Sequence, residues 1–397
     1  MALNQNLLRA DVQDFIDKNY KKDAPSLVLK GSPFADINIQ ELLQQLESKR
    51  KAEKKLPTWF QTANIYFPPK VSIEQSSSEI TAQYKASIVS GKSLIDVTGG
   101  FGIDSYYFAQ QFESVTYCEI NEDLAQVVAH NYEVLGQQNI TVQATNGMRF
   151  IKEQETVYDW MFIDPSRRDG VKGKVFLLKD CVPYLPPKVD FLFRNATSVL
   201  VKLSPMLDIS NTLKELKYVT EVHIVAVNNE VKELLFLLEQ KEVAAVKIQT
   251  VNFQKDQQQS FAFNFGDHSY SNYSEPLQYL YEPNAALLKS GGFHEITKQL
   301  PVFKLQEHAH LYTSEALEEF PGRSFQIEAV VPYDRKKIQQ LLPEKKANIT
   351  TRNFPKSVVQ IRKELKLKDG GQHYLFFTKN MKNKLTCILC KKFGKSQ

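Results

Sequence analysis

Short hydrophobic runs alternate with helical patterns through the middle of the chain. Between the runs, apolar residues recur three or four positions apart, as Leu124, Val127 and Val128 do, which is the spacing of a helix with one buried face. Strands that alternate with helices predict a doubly wound α/β sheet over residues 80–220. The runs that predict its strands are residues 94–97, 114–119, 140–143, 160–163 and 198–203.

The amino-terminal part of the chain has a different pattern. Residues 1–70 place apolar side chains at helical spacing and predict a helical segment. It contains a basic run at residues 49–55. Such a run is typical of a solvated helix end, and an RNA-facing patch is the alternative.

Residues 241–324 change from helical patterns to alternating apolar and polar positions, which predict strands. A loop from Tyr279 is expected to lead into a short helix capped by Asn284, because an Asn side chain accepts hydrogen bonds from free amides at a helix start. A hairpin of 246–251 with 261–265 is expected in this region. Just before it, within the sheet region 71–240, two joined strands are expected at 222–227 and 234–238.

Residues 325–397 predict a small α+β module with the order β-α-β-α-β-β. This module is basic, and its basic side chains are mixed with Tyr333 and Phe354. The basic residues are Lys336, Lys337, Lys345, Lys346, Arg352, Lys356, Arg362, Lys363, Lys366 and Lys368.

Composition narrows the class of protein only slightly. With 397 residues the chain is expected to form more than one domain, and its net charge of +5 permits a nucleic-acid partner without demanding one. Cys387 and Cys390 lack a second pair of ligands, so we expect no metal site. There is no membrane-length apolar run and no basic stretch before an apolar core at the amino terminus, so we expect a cytoplasmic protein. The oligomeric state is left open.

The first candidate for chemistry is the stretch 94–104, a short strand, a glycine turn and the start of a helix. Glycines at such a turn let the backbone approach a ligand that a Cβ would block. The stretch lacks the third glycine of a dinucleotide fingerprint and the Lys-Ser/Thr of a phosphate-binding Walker loop. It therefore predicts a nucleotide-like ligand without naming it.

Polar residues at the ends of the following strands add to this site. Glu119 stands 17 residues after Gly102, where a Rossmann-like sheet places the acid that binds ribose hydroxyls. Asn146 follows the third strand and is open to an adenine contact or a plain turn. The fourth strand ends in Asp164-Pro165. Before the first strand, residues 76–78 either cap the next helix, with Glu79 in support, or contribute a hydroxyl or amide to the ligand.

This order of strand, glycine turn, acid and later Asp-Pro resembles the class I S-adenosylmethionine-dependent methyltransferases. The resemblance implies a Rossmann-like sheet that binds S-adenosyl-L-methionine and has the roles of that family's matching positions. The implied cofactor-binding residues are Gln75, Ser77, Asp96, Thr98, Gly99, Gly100, Gly102, Asp104, Glu119, Asn146 and Asp164. Glu119 has the ribose role, and Asp164 faces the methyl group and the substrate.

The wider set of motifs resembles the bacterial methyltransferases that carry a carboxy-terminal THUMP-like domain. Those proteins have a small ferredoxin-like segment before the THUMP-like module. The resemblance implies that residues 241–324 contain linking strands and this ferredoxin-like segment, and that residues 325–397 form the THUMP-like module. RNA is the implied partner and substrate class. The motifs that carry the resemblance are residues 74–79, 164–168, 202–205, 281–284 and 347–354.

The strand end at residue 164 also bears on the acceptor. Asp164 and the carbonyl of Pro165 would align an amine, but Ser166 and Arg167 stand where amine methyltransferases place a second proline and an aromatic residue. The run resembles the Asp-Pro-Pro-Arg of RNA uracil-C5 methyltransferases, whose nucleophilic cysteine follows the fifth strand.

Here that strand ends in Lys202-Leu203-Ser204 without a cysteine, so a thiolate adduct is not expected. Arg167 and Arg168 bind a phosphate or a base or form structural ion pairs. Lys202 is a candidate general base or phosphate ligand, or a surface lysine. A protein or small-molecule acceptor and an inactive RNA-binding protein stay as alternatives.

Overall fold

The computed structural model describes residues 3–22, 24–167, 177–255, 257–266 and 270–393. The chain divides into two compact units. The first unit contains residues 1–219 and 236–242, and the second contains residues 220–235 and 243–397.

The first unit is an α/β domain preceded by helices, as the sequence predicts. Its helices are α1 (Ala10–Asn19), α2 (Ala24–Lys30), α3 (Ile39–Lys55), α4 (Pro57–Gln61), α5 (Lys70–Gln75), α6 (Glu79–Ser87), α7 (Ile103–Phe108), α8 (Glu122–Val134), α9 (Gly147–Glu153), α10 (Val189–Leu192) and α11 (Ile209–Glu215), with 3₁₀ turns at Gln5–Leu8, Leu178–Asp180 and Pro186–Lys188. Its strands are β1 (Gly91–Asp96), β2 (Phe112–Cys118), β3 (Ile140–Gln143), β4 (Tyr158–Ile163), β5 (Ser166–Arg167), β6 (Cys181–Val182) and β7 (Ala196–Leu203).

The strands β7-β4-β1-β2-β3 lie in that order and pair in parallel, whereas β5 and β6 form a separate antiparallel pair. The chain builds the sheet outward from β1 through β2 to β3 and then returns to add β4 and β7 on the other side of β1. The order therefore reverses between β1 and β4. In open α/β sheets this switch point is where a crevice forms at the carboxyl ends of the strands.

Most basic side chains of the run at residues 49–55 hold α3 against its neighbours, although Arg50, Lys51 and Lys54 are exposed. Lys49 is buried and pairs with Asp17 of α1. Lys51 lies 3.0 Å from Glu74 of α5, and Lys55 Nζ donates to the carbonyls of Ile73 and Glu74. These contacts hold α3 against α1 and α5.

The second unit is rich in antiparallel strands. Its strands, the first two of which contain the boundaries between the units, are β8 (Val219–Val227), β9 (Glu230–Glu239), β10 (Lys247–Gln254), β11 (Gln257–Asn264), β12 (Tyr279–Pro283), β13 (Phe303–Lys304), β14 (Tyr312–Ser314), β15 (Gly322–Pro332), β16 (Asn348–Thr351), β17 (His373–Lys379) and β18 (Leu385–Phe393). Its helices are α12 (Ala285–Ser290), α13 (Glu295–Gln299), α14 (Arg335–Leu341) and α15 (Val358–Leu365).

A seven-stranded sheet in the order β13-β14-β12-β15-β18-β17-β16 occupies most of this unit. The β-α-β-α-β-β order predicted for residues 325–397 is confirmed. The expected hairpin is also present, as the antiparallel pair β10–β11. One expectation is wrong: residues 279–283 form β12 rather than a loop, because Leu280 and Tyr281 are fully buried and the segment pairs with both β14 and β15. Asn284 does cap α12, by accepting from the amide of Leu287.

Three of the ten basic residues that the sequence singles out in this module are paired with carboxylates. Arg352 pairs with Glu282, Lys356 lies 2.6 Å from Glu364, and Arg362 pairs with Asp369. The other seven are exposed lysines, namely Lys336, Lys337, Lys345, Lys346, Lys363, Lys366 and Lys368.

Candidate active site

A cavity of about 1200 Å³ lies at the carboxyl ends of β1, β2 and β4 in the first unit. Its lining includes the turn after β1, the end of β2 at Glu119, the start of α9 and Asp164 after β4. This is the switch point that the strand order defines. The motifs that the sequence places at separate strand ends therefore meet in one site.

The glycine turn is shaped by two tyrosines behind it. A Cβ at Gly99 would come within 2.2 Å of the Tyr117 ring, and one at Gly102 would come within 2.3 Å of the Tyr132 hydroxyl. Gly102 also has a φ of +76°, which is strained for other residues. The Tyr117 and Tyr132 hydroxyls donate to the carbonyls of Gly100 and Gly102. These bonds hold the two rings in place, so the rings do not move aside for a Cβ. The turn is thus packed from behind and leaves its other side to the cavity.

Glu119 stabilises this turn and lines the cavity. One of its carboxylate oxygens accepts from the amide of Gly100 at 2.8 Å, and the other accepts from the amide of Asn121 at 2.8 Å. A carboxylate oxygen has more than one acceptor position, so these bonds do not exhaust the group. Glu119 can therefore accept further hydrogen bonds from a ligand.

The start of α9 forms another part of the lining. Asn146 caps this helix by accepting from the amide of Arg149 at 3.1 Å. Its neighbour Gly147 lies so close to β1 that a Cβ would come within 2.4 Å of the Val97 carbonyl. Gly147 was not predicted as a site residue, although the Asn-Gly pair a few residues after β3 was the available signal.

Asp96 lies beneath the turn and does not itself line the cavity. Its carboxylate accepts from the amide of Thr98 at 2.9 Å and from the hydroxyl of Ser105 at 2.6 Å. Burial raises the pKa of Asp96 to about 7; the two hydrogen bonds act in the opposite sense, and the charges of Asp104 and Asp164 add to the rise. Asp96 thus positions Thr98 and the first turn of α7.

Asp104, at the start of α7, is the centre of a buried charge cluster. It accepts from the Ser77 hydroxyl at 2.7 Å and lies 3.2 Å from the fully buried ammonium group of Lys85. Burial alone would raise the pKa of Asp104, but the charges of Lys85 and Lys202 and the hydrogen bond from Ser77 outweigh it and lower that pKa. Lys85 was not singled out from the sequence, where it is one lysine in an ordinary helical pattern.

Asp164 and Lys202 form the second pair of the site. Lys202 Nζ lies 2.5 Å from Asp164 Oδ2 and 3.3 Å from the Ser77 hydroxyl. The amide of Asp164 donates to the Thr98 hydroxyl at 2.7 Å. The side chain of Asp164 is 36% exposed and that of Lys202 is 13% exposed, and both line the cavity.

Of the other residues predicted for the site, some line the cavity and some do not. Gln75, Ser77 and Ser166 line the cavity, whereas Pro165 does not. Arg167 lies on β5 with its side chain outside the described part of the structure, and Arg168 is outside the described residues.

The serine run before α6 caps that helix, as expected, and also borders the cavity. Ser78 caps α6 by accepting from the amide of Thr81, and Ser77 faces the site. Glu79 does not support that cap: its carboxylate accepts from Thr58 and from the Tyr107 hydroxyl.

Two other sequence motifs meet in the second unit. The buried carboxylate of Glu282 accepts from Arg323 Nε at 2.8 Å and from Arg352 Nη2 at 2.9 Å. The motifs 281–284 and 347–354 are thereby joined into one ion-pair cluster. Within the described residues no group of three or more His, Cys, Asp or Glu side chains is arranged to hold a metal ion, and none of the helices described there is long and apolar enough to cross a membrane.

Comparison with known proteins places these features in a family. The model of a THUMP domain-like domain matches residues 322–392, and that of a ferredoxin-like domain matches residues 279–321. None of the curated proteins compared with the chain matches it. Among solved structures, the chain is similar to the crystal structure of an inferred methyltransferase from Porphyromonas gingivalis W83. The sequence identity is 30%, the TM-score is 0.89, and the match covers 99% of this chain and 100% of that one.

Two further structures resemble only part of the chain. One is an inferred methyltransferase, yhhF, from Escherichia coli, with 19% identity, a TM-score of 0.30 and coverage of 41% of this chain and 85% of that one. The other is an rRNA methylase from Streptococcus thermophilus, with 12% identity, a TM-score of 0.30 and coverage of 41% and 95%. Neither contributes to the assignment.

The parallel sheet and the cavity at its switch point define the class I methyltransferase fold. The match to the Porphyromonas gingivalis protein covers 99% of this chain and 100% of that one, and the two family models match the carboxy-terminal part of this chain. The chain belongs to the class I S-adenosylmethionine-dependent methyltransferases that carry a ferredoxin-like segment and a carboxy-terminal THUMP-like domain. The resemblance stated from the sequence motifs is confirmed.

Proposed function

We propose that this protein transfers a methyl group from S-adenosylmethionine to a nucleobase of RNA. The observation that carries the proposal is the cavity that joins the glycine turn and Glu119 with Asp164 and Lys202. At about 1200 Å³ it is larger than the roughly 300–1,000 Å³ of common ligand pockets. It has room for a nucleoside cofactor together with an acceptor base.

The residues present fit the cofactor. Glu119 keeps acceptor positions for ribose hydroxyls, and Gly100 has open space where another residue would carry its side chain. Asn146 and Gly147 line the same cavity and would adjoin the adenine ring. When bound, S-adenosylmethionine supplies a methyl group that the lone pair of an acceptor takes by in-line displacement of the sulfide.

The part of this chain in such a reaction is to hold the acceptor in line. Lys202 binds Oδ2 of Asp164, and the structure gives Oδ1 no partner among the described residues. Oδ1 is therefore available to accept an N–H of an exocyclic amine and to aim its lone pair. Orientation of this kind contributes at most roughly 7–11 kcal/mol to catalysis.

RNA as the acceptor is supported by two features. The chain has a THUMP-like domain, and the family resemblance implies RNA for such domains. In the described part of that domain seven exposed lysines lack the carboxylate partners that Lys356 and Arg362 have. Exposed lysines without carboxylate partners suit contact with phosphates.

Calorimetric titration with S-adenosylhomocysteine tests the cofactor site. Glu119→Ala should weaken binding by at least about tenfold, since it removes the ribose acceptor and a bond that fixes the turn. Gly100→Arg should abolish binding by filling the cavity. Glu113→Ala is the matched control, because Glu113 lies exposed on β2, the strand that Glu119 follows. Unchanged binding by the Glu119 and Gly100 variants would refute the assignment.

The acceptor is tested with RNA isolated from cells that lack the gene. The protein is allowed to transfer methyl groups to this RNA, and the nucleosides are then identified by mass spectrometry. One methylated nucleoside should be absent from the bulk RNA of those cells and be restored by the protein. Radioactive methyl groups that enter protein or small molecules instead of RNA would show that the substrate class is wrong.

A further inference from the structure

One wall of the cavity comes from a segment that the sequence motifs did not include. Strand β6 pairs with β5 so that Val182 lies opposite Ser166 and Cys181 opposite Arg167. Asp164 and Tyr184 lie two positions beyond the Ser166–Val182 pair, one on each of the two segments. Both of these residues line the cavity.

Tyr184 differs from the other aromatic residues along the cavity. Phe101 and Phe162 also line it, but they are 4% and 1% exposed and belong to the core. Tyr184 is only half-buried, and the structure gives its hydroxyl no hydrogen bond to a described residue. Its ring is therefore the aromatic surface that a planar ligand in this cavity can contact.

The segment that carries Tyr184 is anchored on both sides. Leu178, Leu185 and Val189 are each at most 1% exposed. The amide of Lys188 donates to the carbonyl of Leu185 at 2.7 Å, which closes a turn directly after the tyrosine. An anchored backbone limits how far the ring can move, so less conformational entropy is lost when a ligand stacks on it.

The position of Tyr184 bears on a residue that is missing from the sequence after Asp164. An aromatic side chain that stacks on the acceptor is absent from the run after Asp164, where Arg167 stands in its place. We propose that Tyr184 supplies this aromatic ring from the neighbouring strand and stacks on the nucleobase whose amine Asp164 holds. The inference rests on the proposed function and adds the residue that binds the acceptor base.

Stacking makes a specific kinetic prediction. Removal of an aromatic platform commonly weakens binding of a base by about 5- to 100-fold. Tyr184→Leu should raise the KM for RNA by a factor in that range, and Tyr184→Phe should retain most of the affinity because the ring is kept. Neither variant should change the affinity for S-adenosylhomocysteine by more than about twofold, which also shows that the site is folded.

The control is Tyr270→Leu, since Tyr270 is 96% exposed and lies outside the cavity. A second readout is ultraviolet cross-linking of the full-length protein to RNA in the presence of S-adenosylhomocysteine. The cross-link should map to the tryptic peptide of residues 180–188 in the wild type and be lost in Tyr184→Leu.

The outcomes separate this inference from the proposed function. If the wild type methylates RNA and Tyr184→Leu does so with an unchanged KM, the proposed function stands and the role of Tyr184 is refuted. If the wild type binds the cofactor product but transfers no methyl group to RNA, both are refuted.

Discussion

The ammonium group of Lys202 lies 2.5 Å from Oδ2 of Asp164, at the point where two parallel strands of the sheet end. This contact fixes one oxygen of the carboxylate and leaves the other toward the cavity. A carboxylate that can turn freely would hold an acceptor amine in many orientations, most of them unproductive. The pair therefore acts as one orienting unit.

Substitution of either member should lower the rate of methyl transfer with a modest loss of cofactor affinity. Asp164→Ala should reduce kcat by about 10²–10³-fold, the usual cost of losing one group that binds the transition state. Lys202→Met should cost about 10- to 100-fold, because Asp164 keeps its charge but loses its orientation.

The double variant tests whether the two residues act together. Residues that act as a unit have non-additive effects, so Asp164→Ala with Lys202→Met should be no slower than Asp164→Ala alone. Multiplicative effects would show that Lys202 contributes independently, for example as a phosphate ligand.

Lys85 should be among the larger contributors to the stability of the first unit. It is fully buried and lies 3.2 Å from Asp104. Breaking a buried ion pair by removing one partner costs about 3–5 kcal/mol. Lys85→Met should therefore lower the free energy of unfolding by about 3 kcal/mol, since Lys202 still faces Asp104 at 4.0 Å.

Tryptophan fluorescence in a urea titration measures this loss in the correct unit, because both tryptophans, Trp59 and Trp160, belong to the first unit. Lys92→Met, at an exposed position of β1, is the control and should change stability by less than about 0.5 kcal/mol. Equal losses for the two variants would contradict a structural role for Lys85.

Much of the cavity could be predicted from the sequence because its signals are local. The apolar run of β1, the glycine spacing and Glu119 after β2 each depend on a few neighbouring residues. Lys85 and Tyr184 carry no such signal, because their positions arise from packing between α6 and α7 and from the pairing of β5 with β6. Both require knowledge of tertiary structure.

The segment 279–283 shows how a local signal can mislead. Pro283 and Asn284 are typical of a turn, and the turn does occur, but only after a strand. Partners on both sides of β12, namely β14 and β15, provide the pairing that makes the preceding residues extended. The proline is tolerated because it stands at the end of the strand.

The raised pKa of Asp96 predicts that stability depends on pH. Below about pH 4 the carboxyl is protonated in the folded and unfolded states alike. Between pH 4 and the folded-state pKa of about 7, only the folded state keeps the proton, so the contribution of Asp96 to stability falls as the pH rises from about 4 and is lost once the pH passes 7. A shift of about three pH units corresponds to at most about 4 kcal/mol.

Asp96→Asn removes this titration and keeps an acceptor for the amide of Thr98. All other ionisable groups are common to the two proteins, so the difference between their stabilities reports on residue 96. The stability of the variant relative to the wild type should increase from pH 5 to pH 8, measured by urea titration with tryptophan fluorescence. A constant difference over this range would show that Asp96 is ionised throughout.

The exposed lysines of the THUMP-like domain should set the salt dependence of RNA binding. Truncation before residue 326 would not test this cleanly, because β15 pairs with β12 and the cut would break the shared sheet. Lys336→Gln with Lys337→Gln changes only exposed side chains. If both lysines contact phosphates, the slope of log K against log salt should fall by about 1.4, or roughly 0.7 for each contact with a single strand.

The matched control is Lys18→Gln with Lys217→Gln, which removes the same two charges from exposed positions in the first unit. A purely global effect of net charge would change both double variants equally. Filter binding at several salt concentrations distinguishes the two cases, since a loss of slope confined to the Lys336 and Lys337 variant locates the phosphate contacts on the THUMP-like domain. An equal slope in that variant and the wild type would show that Lys336 and Lys337 make no phosphate contacts.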